Sequence, residues 1–385
     1  MRAAIVGCGL GGATAAIFLS RAGYDVTVYE QAPALTRIGA GISLGPNVLK
    51  VMREIGLADR LIEVGTMARL RLSRAWDTGA TLNEIRYSEF RGLYGETMIS
   101  MHRGDMLQIL HDAIEPGRVL FSKRASGIES APNGTARITF ADGTEAEADL
   151  VIGADGVNSI VREVLLGPEP PIYTGFVAYR AIIPTHLLGD FRPLADHTKW
   201  WTTESFPPAE DRHFITYYLT NERDELYFVT GSPAPEWDPN VSAVPVEISE
   251  IKDCYAGFHD EVQRTIDACP AATKWPLLER KPLTLWSREN VVLLGDACHP
   301  MKPHMGQGAG MAIEDAAILA RSLDAADDLD EALAIYAHSR KDRTARVQDQ
   351  SRINTWFKYP ADMGWVYGYD AIRVPLSIPE RPAPA

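Results

Sequence analysis

The sequence predicts an α/β chain, α+β overall, in which a Rossmann-like nucleotide-binding domain carries an inserted, mainly antiparallel β-sheet domain and C-terminal helices. Three observations predict it. First, an apolar strand, RAAIV (2–6), runs into the turn GCGLGG and a helix of small residues that ends at Gly23. The second strand, YDVTVYE, follows at once, which is the opening of a doubly wound sheet. Second, residues 171–280 change character, with short runs such as KWWTTESF, HFITYYLT and ELYFVTG rich in β-branched and aromatic residues. Third, the opening style returns at 282–325, where NVVLLGD reads as a strand and AGMAIEDAAILARSL as a helix.

These breaks divide the chain into 1–170, with a short excursion near 71–99 toward the second domain, then 171–280, 281–325 and 326–385. Within the first unit, RITFADGTEAEADLVIGADG reads as a hairpin turning at Asp-Gly, followed by an apolar strand. Residues 330–358 read as helix, and the proline-rich end PLSIPERPAPA as a frayed tail.

Of the 385 residues, 46% are hydrophobic and 23% charged, enough to bury substantial cores. The net charge of −13, with no basic block, argues against nucleic acid and against anionic membrane surfaces as partners. Cys8, Cys254, Cys269 and Cys298 lack CxxC spacing, so free thiols in a reducing compartment are expected, with no zinc or other metal site. The N-terminal apolar run is cut by glycines and leads into another strand, unlike a cleaved signal. No apolar run reaches the roughly eighteen residues of a membrane helix, so a cytoplasmic monomer or homodimer is expected.

Three motifs carry chemistry. In the first, Gly7 permits a tight turn, Gly9 lets the backbone approach a pyrophosphate, and Gly12 lets the helix pack on the strand. Glu30, ending the next strand, can accept ribose hydroxyl hydrogen bonds. The second is Asp155-Gly156, after the strand DLVIGA. Taken alone it reads equally as a structural turn with Ser159 capping the next helix. The third is Asp296 at a strand end, followed by HPMKPHMGQGAG, which helix capping does not explain.

In this order the three motifs resemble those of the single-component flavoprotein aromatic hydroxylases, the salicylate and para-hydroxybenzoate hydroxylase family. The resemblance covers nearly the whole chain. A narrower likeness, to the group of that family that hydroxylates 6-hydroxynicotinate, rests on RIGAGISLGPNV, HRGDM, KWW, DRHFITYY, ATKWPL, the 285–317 stretch and WVYGYD. The resemblance implies one non-covalent FAD, with Asp296 on its ribityl and pyrophosphate side and Pro303 against the isoalloxazine ring. It places the backbone of Gly306, Gly308 and Ala309 at the N1–C2=O edge, and Arg37 and Arg103 near the cofactor. Asp155 and Gly156 would lie by the pyrophosphate and the groove for the nicotinamide donor, NADH or else NADPH. The implied reaction is hydride reduction of the flavin, capture of dioxygen as a C4a-hydroperoxide, and oxygen transfer to a small hydroxylated aromatic or pyridine carboxylic acid. In the narrower group the attacked carbon bears the carboxylate, which leaves as carbon dioxide. Two other outcomes stay open: a salicylate- or hydroxybenzoate-type hydroxylase, and a flavin dehydrogenase or oxidase without oxygen insertion.

For the ring pocket, His213 and Tyr217 share a strand face and are expected to meet the substrate hydroxyl together, with imidazole suited to proton transfer near neutrality. Two features depart from the narrower group: Ser43 stands where a histidine is usual, and the 201–213 loop is longer. A serine hydroxyl is no base near neutrality, so His197 is the candidate to replace the imidazole. His299 and His304 flank the glycine turn. Trp200 and Trp201 are expected in the strand core.

Overall fold

The computed structural model describes residues 1–37, 40–130, 134–203, 212–239 and 241–379. The longer loop between 201 and 213 falls largely on 204–211, outside the described residues. The fold is α/β with several sheets, as expected.

A six-stranded sheet sets the first layer. Arg2–Val6 lies between Asp25–Tyr29 and Leu150–Gly153, parallel to both, and Val291–Leu293 continues the parallel run. Apart from the exposed Arg2, the strands Arg2–Val6, Leu150–Gly153 and Val291–Leu293 are apolar without alternation because both their faces are buried, whereas Asp25–Tyr29 alternates. Register aligns their C-terminal ends: Val6 stands opposite Tyr29 and Gly153, and Gly153 opposite Leu293. The turns after Val6, Tyr29, Gly153 and Leu293 therefore emerge at one edge, where open α/β sheets hold ligands. The Asp-Gly hairpin forms between Ala136–Phe140 and Glu145–Ala148, with Gly143 at φ +81°.

The second layer is an eight-stranded sheet, in the order Val244–Val246, Ala272–Glu279, Ile172–Pro184, Glu225–Pro233, His213–Tyr218, His197–Trp201, Leu70–Ala75 and Thr81–Arg86. Pairing is antiparallel except between His197–Trp201 and Leu70–Ala75. Residues 70–86 thus cross from the first half of the chain into this sheet. One face packs Trp200, Phe214, Tyr218 and Phe228 against Tyr255 and Val262 of the helical segment beneath. The period of two sends Arg71, His197, Lys199, Trp201, His213 and Tyr217 to the other face. That face is buried as well, and a buried polar face is the informative kind. Both tryptophans are buried in the strand, as expected, on opposite faces. Trp200 is core, but Trp201 lies on the polar face, with the Lys199 ammonium 3.5 Å from its ring centroid.

The C-terminal helix, Leu329–Ile353, starts on Asp328, whose carboxylate accepts the Glu331 N–H at 2.8 Å. It stops five residues short of the expected 358, because Asn354 takes a left-handed conformation (φ +52°), which asparagine tolerates better than most residues. The chain then crosses the polar face of the large sheet. The Phe357 carbonyl accepts from Ser73 Oγ at 2.7 Å and Asn83 Nδ2 at 3.0 Å. Among the described residues no helix is long and apolar enough to cross a membrane, and the four cysteines are free.

Candidate active site

The glycine turn is built for close approach. Gly7 sits at φ +100°, and a Cβ on Gly12 would fall 2.1 Å from the Gly7 carbonyl oxygen. Glu30 reaches back from the second strand and accepts the Cys8 and Ala32 N–H groups, each at 2.8 Å. Its carboxylate thereby orders the turn. The helix Leu10–Arg21 opens with no side-chain cap, and so does Gly308–Ala325. Uncapped helix starts leave N–H groups free for an anion. A Cβ at Gly9 or Gly306 would meet nothing within 4 Å. The cleft thus offers free donors and open space along the path a dinucleotide needs, and FAD fits it.

Asp296 and Arg103 are open to this cleft. Surrounding protein raises the Asp296 carboxyl above its ordinary value by desolvation, opposed by His299 and Arg103. Desolvation likewise lowers Arg103, with Asp296 and Glu30 opposing and Arg180 reinforcing. The two opposite charges thus partly offset each other's desolvation. Two other expected cofactor residues have protein partners of their own. Arg37 is committed to two carboxylates, Asp105 at 2.8 Å and Glu225 at 2.8 Å, and ties the helix Arg103–Asp112 to the large sheet. The Asp155 carboxylate caps the helix Ile160–Leu166, accepting from Ser159 Oγ at 2.5 Å and Ile160 N at 2.8 Å.

Under the PxxGQG turn lies a buried charge network. Arg340 bonds Glu314 at 2.8 Å and Asp315 at 2.6 Å, and Arg343 bonds Glu314 at 2.7 Å. Burial alone would raise both carboxyls. Arg343 and Arg340 outweigh it at Glu314, as His299 and Arg340 do at Asp315, so both end below the ordinary range. Asp315 also takes His299 Nε2 at 2.6 Å and the Gly295 N–H at 3.1 Å. Asn47 donates to Gln307 Oε1 at 3.0 Å and to Glu314 Oε1 at 2.7 Å. Removing one member would strand a buried charge. The network holds the turn that carries Asp296, Pro303, Gly306, Gly308 and Ala309. His299 is therefore a structural partner of Asp315.

On the polar face of the large sheet, His213 lies flat over Gly231, where an added Cβ would approach its ring to 2.2 Å. Its Nδ1 accepts from Asn354 Nδ2 at 3.3 Å, so its proton sits on Nε2. His304, at a ring-centroid distance of 5.3 Å, donates through Nδ1 to the Ser351 carbonyl at 2.8 Å, and its buried Nε2 has no partner among the described residues. One imidazole offers a donor and the other an acceptor. Burial pushes His213 well below its ordinary value, with Lys199, His304 and Arg71 adding; burial and Lys199 push His304 down to about 3, against the Ser351 carbonyl. Both rings are neutral near pH 7. Gly231→Ala should therefore displace the His213 ring and reproduce the activity loss of His213→Ala, with flavin content unchanged; parallel turnover and flavin-occupancy assays check this.

Tyr217 does share the face of His213, yet four strand residues separate them by about 13 Å. At that spacing the two side chains stand apart along the strand rather than side by side. The Tyr217 hydroxyl is within hydrogen-bonding reach of Ser43 and its ring stacks on His197 at 5.0 Å. His197 Nε2 lies 3.3 Å from Ser100 Oγ, and Ser100 pairs directly with Ser43 across the strands 41–44 and 98–102. Burial, then Tyr227, raises the Tyr217 phenol well above its ordinary value. Burial and Arg71 lower His197 well below its own.

The model of the FAD binding domain family matches residues 1–351. The chain belongs to this family of flavoprotein monooxygenases. It is similar to the 6-hydroxynicotinate 3-monooxygenase of Bordetella bronchiseptica, at 47% identity over 97% of each chain. To that of Pseudomonas fluorescens the identity is 46% over 100% of this chain and 99% of the relative. Among solved structures, Klebsiella pneumoniae HpxO complexed with FAD and uric acid has a TM-score of 0.81 at 25% identity, over 95% of this chain and 90% of that one. A salicylate hydroxylase substrate complex shares the fold at 23% identity and a TM-score of 0.81. The cofactors of this flavoprotein monooxygenase are FAD and NAD(P)H.

Arg71, Lys199 and Asn354 escaped the sequence reading. Alternation in HTKWW would have placed Lys199 on the face of His197. Asn354 carries no local signal, since it reaches the site only because the helix before it ends there.

Proposed function

We propose that this flavoprotein hydroxylates 6-hydroxynicotinate at the carbon bearing the carboxylate, releasing carbon dioxide and 2,5-dihydroxypyridine, in the cytoplasm. The observation that carries the reading is the buried, cationic, hydrogen-bonding face of the large sheet. Arg71 and Lys199 supply positive charge there, and His213, His304 and Tyr217 supply oriented donors and acceptors. Such a face suits a flat acid that is negative when its hydroxyl ionises. Similarity at 46–47% to two 6-hydroxynicotinate 3-monooxygenases supports the same choice. Four free cysteines fit a reducing compartment.

Bound FAD would supply two-electron reduction by NAD(P)H and activation of dioxygen for transfer to the ring. The chain's own part is binding and proton control. Glu30, Arg103, Asp296 and the two uncapped helix starts would hold the cofactor, with negative charge at the flavin edge favoured by the Gly308 helix start. His213 Nε2–H and His304 Nε2 would hold one end of the substrate ring. At the other end Tyr217, with Ser43 behind it, would take the hydroxyl proton as it passes its own on. Asn354, Phe357 and the 303–305 turn close the space and exclude water. A panel of hydroxypyridine and hydroxybenzoate acids tests the choice: 6-hydroxynicotinate should stimulate NADH oxidation most. Inertness of that acid beside a strong response to salicylate would overturn it.

The second reading, a salicylate- or hydroxybenzoate-type hydroxylase, is favoured by Ser43, which leaves no imidazole beside Tyr217 on that strand. Ser43→His supplies one. It should raise the kcat/KM ratio of 6-hydroxynicotinate over salicylate by about an order of magnitude. An unchanged ratio would mean that residue 43 does not govern ring choice.

A further inference from the structure

Arg71 is 8% exposed, and no carboxylate among the described residues bonds or pairs with it. A buried guanidinium without a counter-charge is costly. Its Nε has no hydrogen-bond partner, its guanidinium stacks 4.6 Å above the Phe357 ring, and the Tyr87 hydroxyl is its hydrogen-bonding neighbour. Strand register sets it directly beside His197, which in turn stands opposite Tyr217. The cation therefore belongs to the Tyr217–Ser43 end of the pocket, away from His304.

Resting on the reading above, we propose that Arg71 is a positioning residue that holds the substrate's ring hydroxyl in its anionic form at the Tyr217 end of the site. It does in this chain part of what an imidazole at residue 43 would do. The step breaks one O–H bond: the proton leaves through Tyr217 to solvent, and the charge left on oxygen is balanced by the guanidinium. An electron-rich hydroxylate ring is what an electrophilic oxygen attacks.

The surrounding groups agree. Tyr87, His197, Tyr217 and Tyr367 face Arg71 from four separate elements, and its charge pulls each of their titrations toward the less positive or more anionic form. Farther along the same face, His213 feels it too, alongside Lys199 and His304, and Arg180 adds positive charge at Tyr217. A hydroxyl placed against Tyr217 feels the same field.

The test titrates the hydroxyl of bound ligand by its ultraviolet spectrum in the FAD-loaded protein. The probe is whichever of 6-hydroxynicotinate, salicylate and para-hydroxybenzoate binds most tightly. In Arg71→Met the midpoint should rise by about one pH unit or more, and Arg71→Lys should restore most of the shift. The rising limb of the turnover–pH profile should move with it, while flavin content stays unchanged. An unmoved midpoint in Arg71→Met, or a rate lowered equally at every pH, overturns the proposal. Failure of 6-hydroxynicotinate to be turned over by the unaltered protein would instead overturn the substrate reading, and the bound-ligand titration would still decide the role of Arg71.

Discussion

Gly9→Val is expected to leave the protein folded and without flavin. Gly9 precedes the helix Leu10–Arg21 with φ −76° and ψ −175°, an extended conformation any residue adopts. A Cβ there meets no protein atom within 4 Å, so valine costs the empty protein little. The space it fills is the approach to the free N–H groups of the helix start, where a pyrophosphate must lie. Affinity for FAD should fall by at least about a hundredfold, or ~2.7 kcal/mol. Flavin fluorescence titration measures the loss, and circular dichroism of the flavin-free form confirms the fold. Full flavin occupancy in this variant would mean that the cofactor path runs elsewhere. Gly12 is the contrasting position: a Cβ would lie 2.1 Å from the Gly7 carbonyl oxygen, so substitution there should disrupt the fold itself.

The next largest effect is expected from Tyr217→Phe. The ring keeps its stack on His197 and its edge contact with Tyr227, at centroid distances of 5.0 and 5.1 Å, so packing survives. Only the hydroxyl next to Ser43 is lost. Without it the substrate proton has no carrier, and hydroxylation should slow by about 10²–10³. Flavin content should be unchanged, because Tyr217 belongs to no cofactor motif. NADH should then be spent increasingly on hydrogen peroxide, read as a fall in product per NADH oxidised. Unaltered rate and coupling would place the proton carrier elsewhere on the face, with His213 and His304 the remaining candidates.

What the sequence made legible follows from how local each signal is. Gly7, Gly9, Gly12 and Glu30 lie within one strand–helix–strand unit, so their geometry can be read from spacing alone. The 285–325 stretch is likewise one strand, turn and helix. The protein partners of Arg37 and Asp155 differ in how far a sequence can show them. The Arg37 partners, Asp105 and Glu225, are distant in sequence and invisible to spacing. Asp155 lies beside its own partners, and the helix start at Ser159 claimed it first. In the large sheet the period of two correctly put His213 and Tyr217 on one face. Their separation along the strand, and the arrival of Arg71, Asn354 and Phe357, depended on the order in which strands from three parts of the chain pair. Order of that kind is set by tertiary packing, which no window of sequence contains.

The most direct test of the account is turnover of 6-hydroxynicotinate with NADH under heavy-oxygen dioxygen. The account predicts 2,5-dihydroxypyridine with one labelled hydroxyl, and one carbon dioxide released for each NADH oxidised. Oxidation of NADH that yields only hydrogen peroxide, or a product that retains its carboxylate and carries no label, would contradict it.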